Sequence, residues 1–243
     1  MDFKIAKCKI CGEDVAQEYI PKETKCDICG KNIISNYTCH NGHHMCSKCR
    51  FEGVFNDVKI ICQHTKSKNP IEISKEIMNI THLPLLGCKH FFLTSLCLFT
   101  AFKNCGGKVS DFEKSLDNII DRVMMVHTSE CKIGGLCGIP ASIGGAFQVV
   151  GFEDKTIEER TQIANKISGS CMAKLVNPKL IGTTNCCIRN SIICVVETSN
   201  YMKNYYWVDL ELPTEIKCEF SEGNPRCNKD KCRFYSGIRT EKI

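Results

Sequence analysis

Four pairs of soft ligands stand at metal-binding spacing near the start of this chain: Cys8/Cys11 in CKIC, Cys26/Cys29 in CDIC, Cys39/His43 in CHNGH, and Cys46/Cys49 in CSKC. A Cys-x-x-Cys turn lets two thiolates reach one ion at about 2.3 Å without strain, and tetrahedral sulfur-rich sites select zinc or an iron–sulfur centre. Eight ligands satisfy two tetrahedral zinc ions, so two zinc ions are expected in this stretch. Closed sites of this kind add folding energy and leave no position open for a substrate.

Two pairings use all eight residues. An interleaved one joins Cys8/Cys11 to Cys39/His43 and Cys26/Cys29 to Cys46/Cys49. A sequential one joins Cys8/Cys11 to Cys26/Cys29 as a zinc ribbon. From Cys26 to Cys49 the spacing is Cys-x2-Cys-x9-Cys-x3-His-x2-Cys-x2-Cys, which resembles the first six ligands of a RING-type cross-brace and inclines the reading to the interleaved form. The remaining pair lies upstream, at Cys8/Cys11, which sets the chain apart from a plain RING ubiquitin ligase. His40 and His44 flank His43 as rival ligands and read as surface histidines, and Cys62 with His64 is an alternative that could substitute for one pair.

A second set of cysteines follows much later. Cys131 and Cys137 lie in ECKIGGLCG, Cys186 and Cys187 in TTNCCIRNS, and Cys218, Cys227 and Cys232 in KCEFSEGNPRCNKDKC. Cys137 just precedes Pro140, and Cys186/Cys187 precede an apolar run, so both would sit at helix N-termini. There, free backbone N–H groups and the positive end of the helix dipole favour thiolates or a bound cluster. Cys131, Cys137, Cys186 and Cys187 are therefore the candidate cofactor-binding residues of a [4Fe-4S] cluster, in which Cys131, Cys137 and one of Cys186/Cys187 could hold three irons and leave the fourth open to sulfide or substrate, with Gly134, Gly135 and Gly138 letting amides approach the sulfides. The trio Cys218, Cys227 and Cys232 reads as metal ligands short of one partner, which Cys186 or Cys187 could supply. Arg189 could pair an anionic substrate, and His90 or His127 could move protons. Cys88, Cys97, Cys105, Cys171 and Cys194 fall on helical faces and read as core.

The elements that would carry these residues can be read from periodicity. Residues 1–65 suggest short strands and knuckle turns, with Gly12, Gly30 and Gly42 in left-handed positions. A polar link, KSKNP, follows at Lys66 to Pro70. Beyond it, apolar Ile71, Ile73, Ile77 and Ile80 predict an amphipathic helix. Leu83 to Asn104 predicts a buried helix stopped by Gly106-Gly107. Ser110 and Glu113 stand at capping-box spacing before Phe112, Leu116, Ile119, Ile120 and Val123. Pro140 to Phe152 and Thr156 to Leu175 predict two more helices, the latter capped by Thr156 and Glu159. Cys187 to Tyr201 is apolar and β-branched; helix is preferred over buried strand. The tail alternates in WVDLEL. The expected fold is mainly α, a cysteine-rich helical domain at 66–243 preceded by a small treble-clef or zinc-ribbon-like module at 1–65.

Composition narrows the chemistry. Of 243 residues, 20 are cysteine, and MDFKIAKCKI lacks an apolar signal region. Metal ligation in the cytoplasm is therefore expected rather than disulfides. The apolar stretch from Phe91 to Phe102 is well short of the roughly 18–20 residues that cross a bilayer, so no membrane span is expected. The net charge of +5 is not gathered near the first ligands, where nine Lys/Arg face eight Asp/Glu between Met1 and Thr65. Tyr19, Tyr37, Phe51 and Phe55 lie there without a run of cations, which argues against a nucleic-acid partner. No Ser-His-Asp order, paired-carboxylate motif or phosphate loop supports a hydrolase, glycosidase or kinase.

The run from Thr81 to Phe234 is similar to an uncharacterised cysteine-rich family of anaerobic prokaryotes that sometimes follows an S-adenosylmethionine-dependent methyltransferase domain. The residues that carry the resemblance are CHNGHHMCSKC, His90 in GCKHFF, the Cys131/Cys137 pair with Gly138, NCCIRNS, and the closing cysteine trio. The resemblance implies a cysteine-bound metal domain and supplies no reaction. Two functions compete on these grounds. One is an iron–sulfur protein of anaerobic metabolism acting on a small molecule in sulfur transfer, redox chemistry or cofactor maturation. The other is a zinc-binding adaptor that grips a protein or RNA partner without catalysis.

Overall fold

The computed structural model describes residues 8–81, 85–87, 89–124, 136–150, 152, 154–177 and 185–237. The fold is mainly helical with a small N-terminal strand region. The chain divides into two compact units, Met1–Asn56 and Asp57–Ile243.

In the first unit β1 (Val15–Lys25) pairs antiparallel with β2 (Asn32–Cys39), from Val15 opposite Cys39 to Lys25 opposite Asn32, with an irregularity between Gln17 and Lys22. The ligand turns sit where the strands begin and end. β1 leaves the Cys8/Cys11 turn and runs into Cys26, while β2 leaves the Cys26/Cys29 turn and ends on Cys39. Cys8, Val15 and Cys39 form a small buried cluster with Tyr37 packed against it. So small a core is of the kind that bound metal has to supplement.

The boundary between the units falls within α1 (Ser47–His64). This helix replaces the strands and turns expected up to Thr65. Its signal is the helical spacing of Phe55, Val58, Ile61 and Cys62, all buried.

The second unit is organised by α3 (Lys89–Asn104), whose side chains are buried continuously from His90 to Phe102. A helix apolar all round has to be enclosed. Around it pack α2 (Pro70–Thr81), α4 (Phe112–Met124), α5 (Gly138–Val150) and α7 (Cys187–Tyr206), and α6 (Ile157–Leu175) lies against α5 and α7. Gly144 makes one of these contacts possible, because a Cβ there would stand 2.7 Å from the Ala164 carbonyl oxygen and would also collide with Ser168 Oγ.

Local chemistry fixes the helix ends. Asn69 Oδ1 accepts from the Ile71 and Glu72 amides at 2.9 and 3.3 Å, with Pro70 as first helical residue of α2. At α4 the cap is Asp111 rather than the expected Ser110: Asp111 Oδ1 accepts from the Lys114 amide at 3.0 Å. α5 begins two residues ahead of Pro140, which costs nothing because first-turn amides have no partner within a helix. The Thr156/Glu159 capping box of α6 is present in both directions. α7 is a helix over the whole of the stretch where strand and helix competed and continues to Tyr206. It stops at Trp207, in the left-handed region at φ 58° and 91% exposed.

Past α7 the chain is irregular, and WVDLEL forms no strand among the described residues. Its backbone bonds elsewhere: Glu211 N–H donates to Lys68 O at 3.1 Å, and Cys105 Sγ–H to Asp209 O at 3.3 Å. Cys218 pairs with Tyr235 in an isolated parallel bridge, and one 3-10 turn spans Lys229–Lys231. Among the described residues, no helix is long and apolar enough to cross a membrane.

Candidate metal centre

Two ligand tetrads lie in the first unit: Cys8, Cys11, Cys39 and His43, and Cys26, Cys29, Cys46 and Cys49. In each, the candidate ligand atoms all lie within 4.8 Å of one another. This is the interleaved pairing, in which each site takes alternate ligand pairs along the sequence. Cys11 Sγ and Cys39 Sγ are 3.4 Å apart, Cys29 Sγ and Cys46 Sγ 3.8 Å, and Cys8 Sγ and His43 Nδ1 3.9 Å. Four sulfurs at about 2.3 Å from one central ion would be separated by roughly 3.8 Å, so both tetrads have the dimensions of a mononuclear site.

The turns that build them repeat one design. Gly12 N–H donates to Cys8 O at 2.8 Å and Gly30 N–H to Cys26 O at 2.9 Å, closing each Cys-x-x-Cys-Gly turn. Gly12 and Gly30 stand at φ 78° and 70°, and Gly42 closes the Cys39 turn at φ 79°. These are left-handed conformations open to glycine at little cost. Asp27 clips the second turn to the segment after His43: its N–H donates to His44 O at 2.9 Å, and its Oδ2 accepts from His44 N–H at 2.7 Å. The three-residue step from His43 to Cys46 holds the two ligand sets within about 11 Å of chain.

Backbone amides also point at the sulfurs. Asn41 N–H approaches Cys39 Sγ at 3.4 Å, Cys46 N–H approaches Cys26 Sγ at 3.3 Å, and Cys49 N–H approaches Cys46 Sγ at 3.3 Å. Burial pushes the Cys8 thiol up, but the amides of Cys11 and Ile10 and the thiols of Cys39 and Cys11 outweigh it and bring it to about 7. The Cys26 thiol is likewise brought to about 6, against burial, by the amides of Cys46, Cys29 and Ile28 and the Cys29 thiol. Cys39 and Cys46 are pushed up, by burial first and then by the neighbouring thiolates. One thiolate per site therefore forms readily and opposes the next, and a cation is what lets all of them ionise together.

The four-membered set expected at 131, 137, 186 and 187 falls partly on residues that the structure does not describe. Cys131 and His127 lie outside the described residues, as does Cys88. Cys137 precedes α5 and receives the Asn190 side-chain amide at 3.7 Å. Cys187 opens α7 and receives the Gly87 N–H at 3.4 Å. Cys186, the N-cap of α7, faces the trio instead: with Cys218, Cys227 and Cys232 it lines one cavity of about 320 Å³, solvent at the mouth included. Burial pushes the Cys218 thiol up to about 11, and the charges of Cys186, Cys232 and Cys227 push the same way. Cys232 is pushed up by burial and pulled back by the Arg189 guanidinium, itself 3% exposed and lining the same cavity.

Two neighbours of these sulfurs donate hydrogen bonds to them, one in the Asn224-Pro225 step that the sequence sets beside the trio and one, Lys229, without a motif. Asn224 Nδ2 donates to Cys186 Sγ at 3.4 Å, and Lys229 N–H to Cys227 Sγ at 3.3 Å. Asn224-Pro225 between two cysteines was the available hint. Cys218 also lines a second cavity with the buried His90, Thr94 and Ser191. Of the cysteines read as core, Cys97, Cys171 and Cys194 are fully buried, whereas Cys105 is partly exposed. Cys62 is buried in α1, at a distance in sequence from both tetrads.

No curated protein and no solved structure matches the chain. The family match begins at residue 58, so the two tetrads, with CHNGHHMCSKC, precede it, and the Cys186 to Cys232 cavity falls inside it. With residues 58–235 matched by its model, the chain belongs to the family described as "Family of unknown function (DUF5714)".

Proposed function

We propose that this is a two-part metal protein of anaerobic metabolism. Zinc braces its first unit, and its helical unit bears an iron–sulfur centre that serves redox chemistry, sulfur transfer or cofactor maturation. The observation that carries this reading is the separation of two kinds of cysteine. Eight ligands are consumed in two tight tetrads, while four further cysteines gather around a cavity in a different unit. The closed tetrads suit zinc in a structural role, since they leave no position for a substrate. Oxygen-sensitive cluster chemistry suits the anaerobic setting that the family resemblance implies.

The test is purification without oxygen, followed by zinc, iron and acid-labile sulfide analysis of the same sample. Two zinc ions per chain together with iron and sulfide is the expected result. Zinc alone, even after incubation with ferrous iron and sulfide, would defeat the iron–sulfur half.

A second reading has its own observation. Ile20 on β1 is 74% exposed and Ile34 on β2 is 58% exposed, with Ile28 between them at 56%. Apolar side chains presented by a metal-braced hairpin fit a module that grips a protein partner. This adaptor role is compatible with zinc alone. It is separated from the first reading by the metal analysis, and supported if Ile20→Ser with Ile34→Ser abolishes capture of a defined partner without loss of zinc.

A further inference from the structure

We infer that Cys186, Cys218, Cys227 and Cys232 are the complete ligand set of the helical unit's cluster, and that this closed centre exchanges single electrons. The inference rests on the iron–sulfur reading above and assigns that centre its place, its ligands and its reaction class.

Four cysteines from separate stretches of chain face one cavity. Cys186 caps α7, Cys218 sits in the bridge with Tyr235, and Cys227 and Cys232 flank the 3-10 turn Lys229–Lys231. Cys186 and Cys232 are buried at 6% and 8% exposure. Among the described residues, the groups of three or more ligand atoms within 4.8 Å of one another are the two tetrads of the first unit. Cys186, Cys218, Cys227 and Cys232 do not form such a group, so they stand wider than the shell of a single ion while sharing the lining of one cavity. A cluster interposes its own iron and sulfide between the thiolates and needs that wider spacing.

The surroundings suit a negatively charged cluster. Arg189, buried and one turn into α7, brings a fixed positive charge to the cavity, and the N-terminus of α7 opens on it through Cys186. The Asn224 amide on Cys186 and the Lys229 amide on Cys227 are N–H···S bonds that stabilise the electron-rich form and raise the potential. Phe234 lines the cavity and is 5% exposed, which limits solvent access.

Four protein ligands on a [4Fe-4S] cluster leave no iron free for sulfide or substrate. The step is therefore addition of one electron from a one-electron donor to the cluster core and its release to a one-electron acceptor. No bond to cysteine breaks and no proton is transferred. Dithionite serves as the donor in the test.

Full-length protein is prepared anaerobically, supplied with ferrous iron and sulfide, and assayed for iron, sulfide and a dithionite-reducible chromophore. The expected content is about four irons and four sulfides per chain, bleached by one electron. Cys218→Ser, Cys227→Ser and Cys232→Ser should each lose the four-iron chromophore, while Cys137→Ser and Cys187→Ser keep it. Because a ligand variant could simply misfold, Asn224→Ala supplies a second measurement: the cluster stays, and its reduction potential moves to a more negative value. If wild type carries iron and sulfide that survive in the three trio variants, this ligand assignment is wrong while the iron–sulfur reading stands. If the same three variants lose a zinc ion and wild type never takes up sulfide, both the iron–sulfur reading and this inference fall. An unchanged potential in Asn224→Ala overturns the assignment of Cys186.

Discussion

Cys11 Sγ and Cys39 Sγ meet at 3.4 Å although they stand 28 positions apart in the chain, and half of the second tetrad, Cys26 and Cys29, lies between them in sequence. This interleaving makes a direct prediction about stoichiometry. Cys11→Ser with Cys39→Ser damages one site twice, so the double variant should lose one zinc, as either single variant does. Cys11→Ser with Cys29→Ser damages both sites and should lose two. Metal analysis of the variants, together with native mass spectrometry, checks this; a sequential zinc ribbon would reverse the pattern.

The capping box of α6 is exposed and isolated from any metal, so its value can be read cleanly. Thr156→Ala removes the acceptor for the Glu159 amide, and should destabilise the protein by about 1 kcal/mol. Urea denaturation followed by circular dichroism measures it, with Thr156→Ser expected to recover nearly all of the loss.

Gly144 lies where α5 meets α6, and Ala164 is backbone that cannot swing aside. Gly144→Ala should cost about 1–3 kcal/mol through the forced separation of the two helices. Adding Ser168→Ala removes one of the two collisions and should restore only part of the stability. Full restoration would mean that the backbone contact with Ala164 is not limiting.

Burial pushes the Cys62 thiol from 9.0 up to about 11. The folded chain thus holds a proton there that the unfolded chain releases sooner. Its contribution to stability is fully present below pH 9.0 and is lost as pH rises through about 11. Cys62→Ala should flatten the alkaline fall in unfolding free energy by up to one proton's worth of slope, and leave the metal content of both tetrads unchanged. A variant with the wild-type slope, or one that loses zinc, contradicts this placement of Cys62.

Ligand identity in the first unit was legible because each ligand pair is local: two thiols three residues apart, followed by a glycine, specify their own turn. The interleaving was only suggested, since joining Cys8/Cys11 to Cys39/His43 depends on a strand register that no short window contains. Helices with an apolar stripe or a side-chain cap, such as α2 and α6, were readable to within a residue or two. α1 was hidden because its first turn carries Cys49 and read as a continuation of the ligand turns. Ser110 was preferred to Asp111 because both are good caps one residue apart, and the backbone decides between them. The partner of the C-terminal trio was narrowed to Cys186 or Cys187. A helix start turns neighbouring residues different ways, so Cys186 lines the trio's cavity while Cys187 meets the Gly87 amide. Arg189 and Asn224 have no spacing signature, because they act by proximity across the fold.

The alternating order of the ligand pairs also governs how the first unit can come into being. A nascent chain leaving the ribosome exposes Cys8/Cys11 and then Cys26/Cys29, each half of a different site, and neither can be finished by the other. Completion waits for His43 and then for Cys49, six residues later, so both four-residue sets become whole within a few residues of each other. Until then, two reduced thiol pairs stand open to oxidants, each lacking the other half of its set.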